Sequence, residues 1–262
     1  VMNNDGTGQL FHANSLEPFS AFSPELRKAL RLDAKDVKSN KALQEGHGVT
    51  AIITNPPFGS KIPIDDPTIL ETFDLGHSWA YVDDDLEWKM DSKLVSRPPE
   101  ILFIERCIRL LEPGVGIAAV VIPNGILGNP GLGYVRQWIL RHAKILGSID
   151  MHPDAFQPNV GVQTSVLVLR RWSSDEEAYC KDGTFQDYKI FMAICDHVGH
   201  DKRGQTTYVR DDEGYPIVRE QTTAVTGILA SEEESEHASM ERVVDDETQE
   251  IADAFLEWRM DQ

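Results

Sequence analysis

The chain has 262 residues and a formal net charge of −18, from 43 acidic and 25 basic side chains. Hydrophobic residues make up 41%, enough for a sizeable core, and no apolar run approaches the ~20 residues of a membrane-spanning helix. With no basic-then-apolar leader, and with Cys107, Cys180 and Cys195 showing neither Cys-x-x-Cys nor zinc-finger spacing, the chain reads as soluble and cytoplasmic, without a structural metal.

Residues 1–10 read as a loop, with Asn3-Asn4-Asp5-Gly6 and Gly8 as turn signals. A short apolar piece, residues 10–13, ends at Asn14, and residues 24–32 suit a short helix. Residues 49–53 form a β-branched run of strand length that stops at Asn55-Pro56, which cannot continue a central strand. Residues 59–97 are polar, carry Asp83-Asp84-Asp85 and have little periodicity. They read as a long surface insertion, and structureless loops of that length are usually functional or mobile. Residues 98–111 predict a helix with Ile101, Ile104, Ile108 and Leu111 on one stripe and Cys107 in the core. Pro113-Gly114 stops it.

Residues 116–122 are a continuous apolar run, the kind buried on both faces of a sheet. A helix over 134–141 and strands over 145–151 and 164–169 follow. Further on, residues 188–194 suit one more strand, 201–227 are polar and turn-rich, 231–239 are acidic and read as solvated or disordered, and 251–258 suit a short amphipathic helix. The alternation predicts an α/β fold with a doubly wound, mostly parallel sheet. The last strands are joined without a helix, so one antiparallel strand is expected near the end. Two segments are expected: a domain over residues 1–172, interrupted by the insertion at about 59–97, and an acidic C-terminal extension over 173–262.

Asn55-Pro56-Pro57-Phe58 at the end of a strand carries the chemistry. The exocyclic amino nitrogen of a base such as adenine is a poor nucleophile, because its lone pair is delocalised into the ring. Two hydrogen-bond acceptors, one for each N–H, draw that nitrogen toward tetrahedral geometry. Asn55 offers a side-chain carbonyl and Pro56 a backbone carbonyl. The prolines stiffen both acceptors by fixing their own φ and holding the preceding residue extended, and preorganised dipoles need little rearrangement in a transition state. Phe58 is placed to stack on the base. Extruding a base from a duplex costs a few kcal/mol, and an aromatic stack returns about 1–3 kcal/mol. In open α/β sheets, ligands bind beyond the carboxyl ends of strands, which is where Asn55 falls.

Thr54-Asn55-Pro56-Pro57-Phe58-Gly59 resembles the catalytic motif of amino-group methyltransferases that use S-adenosylmethionine. The flanks Leu110-Leu111-Glu112-Pro113-Gly114-Val115-Gly116-Ile117 and Ile122-Pro123-Asn124-Gly125-Ile126-Leu127 resemble the modification subunits of type I restriction systems, which are N6-adenine DNA methyltransferases. So does Asp154-Ala155-Phe156-Gln157-Pro158, followed by Gly161-Val162-Gln163-Thr164-Ser165. The resemblance covers roughly residues 8–172. It implies a partial Rossmann-like methyltransferase fold, S-adenosylmethionine as cofactor, DNA as substrate, and specificity and restriction subunits as partners. It further implies that Asn55, Pro56, Pro57 and Phe58 are catalytic, that Phe156 helps to sandwich the base, and that Asn14 accepts from the cofactor's adenine amine where the family usually has Asp. As a bare sequence, Phe156 reads equally as a buried loop anchor and Asn14 as a turn cap.

Two departures stand against that pattern: the missing upstream cofactor segment, and Gly114-Val115 where the family has Gly-Gly. The family's glycine-rich cofactor loop belongs upstream of Asn14, where only thirteen residues lie and no strand–Gly-x-Gly–helix unit is visible. Gly6-Thr7-Gly8 is too isolated to serve, and Gly114-Val115-Gly116 lies between a helix and a strand, the wrong order for a cradle. The expectation is a truncated chain or one half of a split gene. The charge of −18 also sits poorly with phosphate contacts. Those contacts would come from a missing segment or a partner, or the surface reflects a salt-adapted host.

Remaining candidates are weaker. His197-x-x-His200 lacks a third metal ligand, and Ser60 and Ser165 have no nucleophile elbow. Trp79, Tyr81 and Trp88 in the insertion read as packing aromatics more readily than as a DNA surface. Two alternatives stay open: a methyltransferase acting on a protein glutamine or an RNA base, and an inactive scaffold.

Overall fold

The computed structural model describes residues 9–40, 43–59, 62–158, 161–181, 187–225 and 235–261. Gly6-Thr7-Gly8, Ser60 and the acidic residues 231–234 lie outside the described residues. The chain divides into two compact units, Val1–Ile149 with Thr164–Met192, and Asp150–Gln163 with Ala193–Gln262.

The first unit begins with a 3-10 turn (Phe19–Ala21), α1 (Pro24–Ala29) and α2 (Ala34–Ser39), followed by β1 (Ala51–Thr54). Next come α3 (Pro67–Leu70), the strands β2 (His77–Val82) and β3 (Glu87–Leu94), and α4 (Pro99–Leu110). β4 (Ile117–Pro123), α5 (Asn124–Gly128), α6 (Gly133–His142), β5 (Ala143–Asp150), β6 (Thr164–Arg171) and α7 (Ser174–Lys181) follow, and β7 (Phe191–Ile194) falls at the division between the units. The main sheet has the order β1-β4-β6-β5-β7. β1 and β4 run parallel, with Thr54 opposite Val120. β6 runs antiparallel to β4, with Val168 opposite Ala119, and is inserted between β4 and β5. The expected α/β class and its antiparallel strand are both present.

One face of this sheet is packed. Ala118, Val120 and Ile122 of β4 and Leu167 and Leu169 of β6 are buried under the apolar stripe of α4, from Ile101 to Ile108, and under Val135, Trp138 and Ile139 of α6. Fully burying one such aliphatic side chain contributes about 1.5–3 kcal/mol. The other face corrects the expectation that residues 116–122 are buried on both sides. Ile117, Ala119 and Val121 are only half-buried, and on β1 Ala51 is exposed and Ile53 is 90% exposed.

The segment 59–97 also departs from expectation, because it is neither structureless nor wholly superficial. Ile69, Leu70, Phe73 and Leu75 enter the core, and β2 and β3 form an antiparallel hairpin. Trp79 stacks on Tyr134 and donates its indole N–H to the Asp74 carbonyl at 3.1 Å. Trp88 lies against the same tyrosine while Tyr81 meets its edge. These aromatics pin the hairpin to α6, the packing role favoured from sequence. Cys107 is buried as expected, and burial pushes its thiol up to about 12.

α2 is a helix the sequence reading missed. Asp33 caps it through Lys35 and Asp36 N–H groups, and the buried Asp36 carboxylate accepts from Asp33 N–H and lies 2.6 Å from His47 Nδ1. Asp33, Asp36 and His47 have the spacing of a metal site, yet their oxygens are engaged in this reciprocal cap.

In the second unit, β8 (Val218–Val225) pairs antiparallel with β9 (Ser235–Arg242), and α8 (Thr248–Met260) follows. Residues 201–227 therefore include a strand, and the acidic run enters β9 from Ser235 onward.

Candidate functional site

β1 delivers the chain directly into Asn55-Pro56-Pro57-Phe58. Asn55 is exposed, and its side chain has no hydrogen-bond partner among the described residues. Pro56 is buried, Pro57 exposed and Phe58 half-buried. One proline thus anchors the corner while Asn55 remains available to a ligand. Gly59 closes the loop with φ of +116°, a conformation L side chains rarely adopt. Its backbone N–H donates to Oε2 of Glu100 at 3.0 Å. Glu100 stands in the first turn of α4 and is 7% exposed.

The neighbouring parallel strand ends at the same side of the sheet. β4 runs out through Pro123 into Asn124, whose Oδ1 accepts from the hydroxyl of Ser165 at 2.7 Å. Ser165 lies on β6 opposite Ile122 and is buried. Asn55 and Asn124 therefore both follow the carboxyl ends of adjacent parallel strands, where α/β sheets bind ligands. Sequence reasoning missed Glu100 and gave Ser165 no role here. A carboxylate placed directly after Pro98-Pro99 was the available signal for the first. The second depends on strand pairing.

Asn14 forms a turn. Its Oδ1 accepts from Leu16 N–H and its carbonyl from Glu17 N–H, each at 3.1 Å. The turn seats Leu16, which is 3% exposed, and the exposed Asn14 carbonyl keeps a second lone pair. Phe156 belongs to the second unit, whereas Asn14 and Asn55 to Phe58 belong to the first. Phe156 is half-buried in consecutive turns, Ala155 N–H to His152 O and Gln157 N–H to Asp154 O, both 2.9 Å. His197 Nδ1 lies 3.1 Å from Asp245 Oδ2, and His200 Nδ1 lies 3.0 Å from the Asp201 carbonyl. Two open cavities of about 740 and 540 Å³ are lined by α1–α2 residues such as Arg27, Lys28 and Arg31, and by Tyr208, Arg210 and Asp245. Neither is lined by Asn14, Asn55, Phe58 or Phe156.

The family model described as N-6 DNA methylase matches residues 28–206, more than half of the chain. The chain belongs to the N-6 DNA methylase family. No curated protein matches it. Among solved structures it is similar to a class I S-adenosylmethionine-dependent methyltransferase from Listeria monocytogenes, at 19% identity and a TM-score of 0.41, covering 60% of this chain and 39% of that one. It is also similar to a modification subunit of a type I restriction enzyme from Vibrio vulnificus, at 22% identity and a TM-score of 0.37, covering 55% and 26%. The type I restriction enzyme EcoKI M protein gives 20% identity and a TM-score of 0.37, covering 61% and 28%. The chain thus spans well under half the length of these proteins.

For an N-6 methylase site, the described residues are uneven. They offer acceptors for an amino group at Asn55 and Pro56. For S-adenosylmethionine the sequence points to Asn14, which is exposed and already half engaged, and neither of the two cavities described above is lined by it. On that donor set, the described residues do not by themselves fit the cofactor.

Proposed function

We propose that this chain carries the adenine-accepting part of an S-adenosylmethionine-dependent N6-adenine DNA methyltransferase, within the modification subunit of a type I-like restriction system. The supporting observation is Asn55 itself: exposed, without a hydrogen-bond partner among the described residues, and braced by a buried proline at a strand's carboxyl end in an N-6 methylase chain. Its Oδ1 and the Pro56 carbonyl accept the two N–H bonds of the target amino group, so that the nitrogen lone pair leaves conjugation and becomes nucleophilic. Phe58 stacks on the extruded base, and a base-holding role for Phe156 rests on the resemblance of its own loop. S-adenosylmethionine would supply the methyl group as an electrophile, and Asn14 would offer one acceptor toward its adenine. Residues 1–172 form the catalytic part and 173–262 an acidic extension.

The charge of −18 supports a division of labour. Phosphate contacts provide most of the non-specific affinity for DNA, so specificity and restriction subunits, or other parts of the assembly, supply the cationic surface. The test is methyl transfer from labelled S-adenosylmethionine to DNA by the assembly purified from its host, with nucleosides resolved by mass spectrometry. N6-methyladenine from the parent and none from Asn55→Ala is expected. Undiminished methylation in that variant would falsify the mechanism, and label on protein glutamine or RNA would transfer it to another acceptor.

A further inference from the structure

We propose that Glu100 is the positioning residue of the Asn55-Pro56-Pro57-Phe58 loop, acting through the backbone N–H of Gly59. Its consequence for methylation rests on the function proposed above, whereas its mechanical content does not.

The loop has two ends. Upstream, Asn55 is tied to the sheet by β1, whose Thr54 pairs with Val120. Between the ends, Pro56 and Pro57 leave little torsional freedom. Downstream, Gly59 adopts φ of +116°, and nothing lies within 4 Å of where a Cβ would stand. Space is therefore not what demands glycine there. The conformation demands it, and the N–H···Oε2 bond to Glu100 is what holds that conformation.

Glu100 is costly as a purely structural choice. A carboxylate at 7% exposure loses much of its hydration, and a buried charge is unfavourable unless it is paired or hydrogen-bonded. Among the described residues its hydrogen bond is the one from Gly59, and it forms no ion pair with any of them. An apolar residue at this position would pack without that penalty. Glu100 does not cap its own helix either: α4 starts without a side-chain cap, and Pro98 and Pro99 bring no N–H. What the location provides is rigidity. Ile101, Leu102 and Ile104, the next turn of α4, are 2% exposed or less. The positive end of the twelve-residue helix favours an anion. A fixed carboxylate on a core helix thus becomes the second mount of the stiff corner. Without it the corner pivots on β1 alone, and the Asn55 and Pro56 carbonyls lose their common aim. Misplacement by about 1 Å costs on the order of 100-fold in rate.

The first experiment is amide hydrogen exchange at Gly59, followed by NMR on the full chain and on Glu100→Gln and Glu100→Ala. The Gly59 N–H should be protected in the parent. In Glu100→Ala its exchange should be faster by about tenfold or more, the loss of one charge-assisted hydrogen bond. Glu100→Gln, which keeps an acceptor of the same reach, should restore most of the protection. An unprotected Gly59 in the parent overturns the proposal before any variant is made, so misfolding of Glu100→Ala does not shelter it. Equal exchange in folded Glu100→Ala and the parent overturns it too.

The second experiment is steady-state methylation by the assembly. Glu100→Ala should lower kcat by about tenfold to 100-fold with KM for DNA little changed, and Glu100→Gln should recover most of it. An unchanged kcat in Glu100→Ala, or a Gln variant as impaired as Ala, overturns the positioning role. If the parent assembly methylates nothing, the proposed function falls and the exchange result alone decides for Glu100.

Discussion

His142 lies flat on Trp138, with ring centroids 4.1 Å apart and Nδ1 placed 2.7 Å from the Trp138 carbonyl. Burial lowers the imidazole to about 4, outweighing that carbonyl's preference for the protonated ring. Below pH 6.5 the unfolded chain takes up a proton that folded His142 refuses. Its contribution is therefore complete above pH 6.5 and is lost as pH falls toward 4, roughly 3 kcal/mol in all. Glu105, pushed up to about 7 by burial, runs the other way. Its contribution is present below pH 4.5 and is lost as pH rises through 7. Replacing His142 by Phe should flatten the acid limb of Tm against pH relative to the parent. Parallel profiles would show that His142 ionises normally in the fold.

Glu105 holds a junction that the sequence did not disclose. Its two oxygens accept the N–H groups of Asp74 and Leu75 at 2.8 and 2.7 Å, and it pairs with the buried Arg109. Glu105→Ala should destabilise the chain by about 1–3 kcal/mol, because the Asp74 and Leu75 N–H groups lose their acceptor, while Arg109 keeps the Asp74 carboxylate and the Asn40 and Thr72 carbonyls. Adding Arg109→Met should cost less than the sum of the single changes. Urea unfolding midpoints measure both, and strict additivity would show that the pair is not coupled.

Gly133 marks where the hairpin docks on α6. A Cβ there would stand 2.6 Å from the Trp88 indole nitrogen. Trp88 has little room to retreat, because Gln137 bonds both its main-chain N–H and its carbonyl at 2.7 Å and its ring lies between Tyr81 and Tyr134. Gly133→Ala should destabilise by about 1–3 kcal/mol through overpacking and shift the tryptophan emission. An unchanged spectrum and midpoint would mean that the hairpin moves freely against the helix.

Asn55 is required as an acceptor in the proposed mechanism. Asn55→Asp retains carbonyl-type acceptors and should keep measurable methylation, whereas Asn55→Ala should lose a factor of about 100 or more, as when one preorganised polar group is removed from a reacting centre. Initial rates on an adenine-containing duplex rank the three. Aspartate no better than alanine would point to the amide NH₂ as the working group.

Sequence periodicity served well wherever one face of an element is buried. The stripe from Ile101 to Leu111 and the apolar run of β4 both appear as elements within a residue or two of their expected limits. It failed for β2 and β3, most of whose residues are exposed or only partly buried. With solvent on both sides, nothing enforces an alternation. α2 and α5 were missed because six and five residues are too few to display a helical period. At the site, the proline corner was legible because its stiffness is written in consecutive residues. The Glu100 bond was not, because it joins positions 41 apart and depends on how α4 is placed under the loop.

Among the described residues, β1 pairs with β4 through the four positions from Ala51 to Thr54. Ile53, within that run, is 90% exposed. Fraying of so short a ladder would swing Asn55 out of line with Asn124, so the corner is no steadier than the four rungs beneath it.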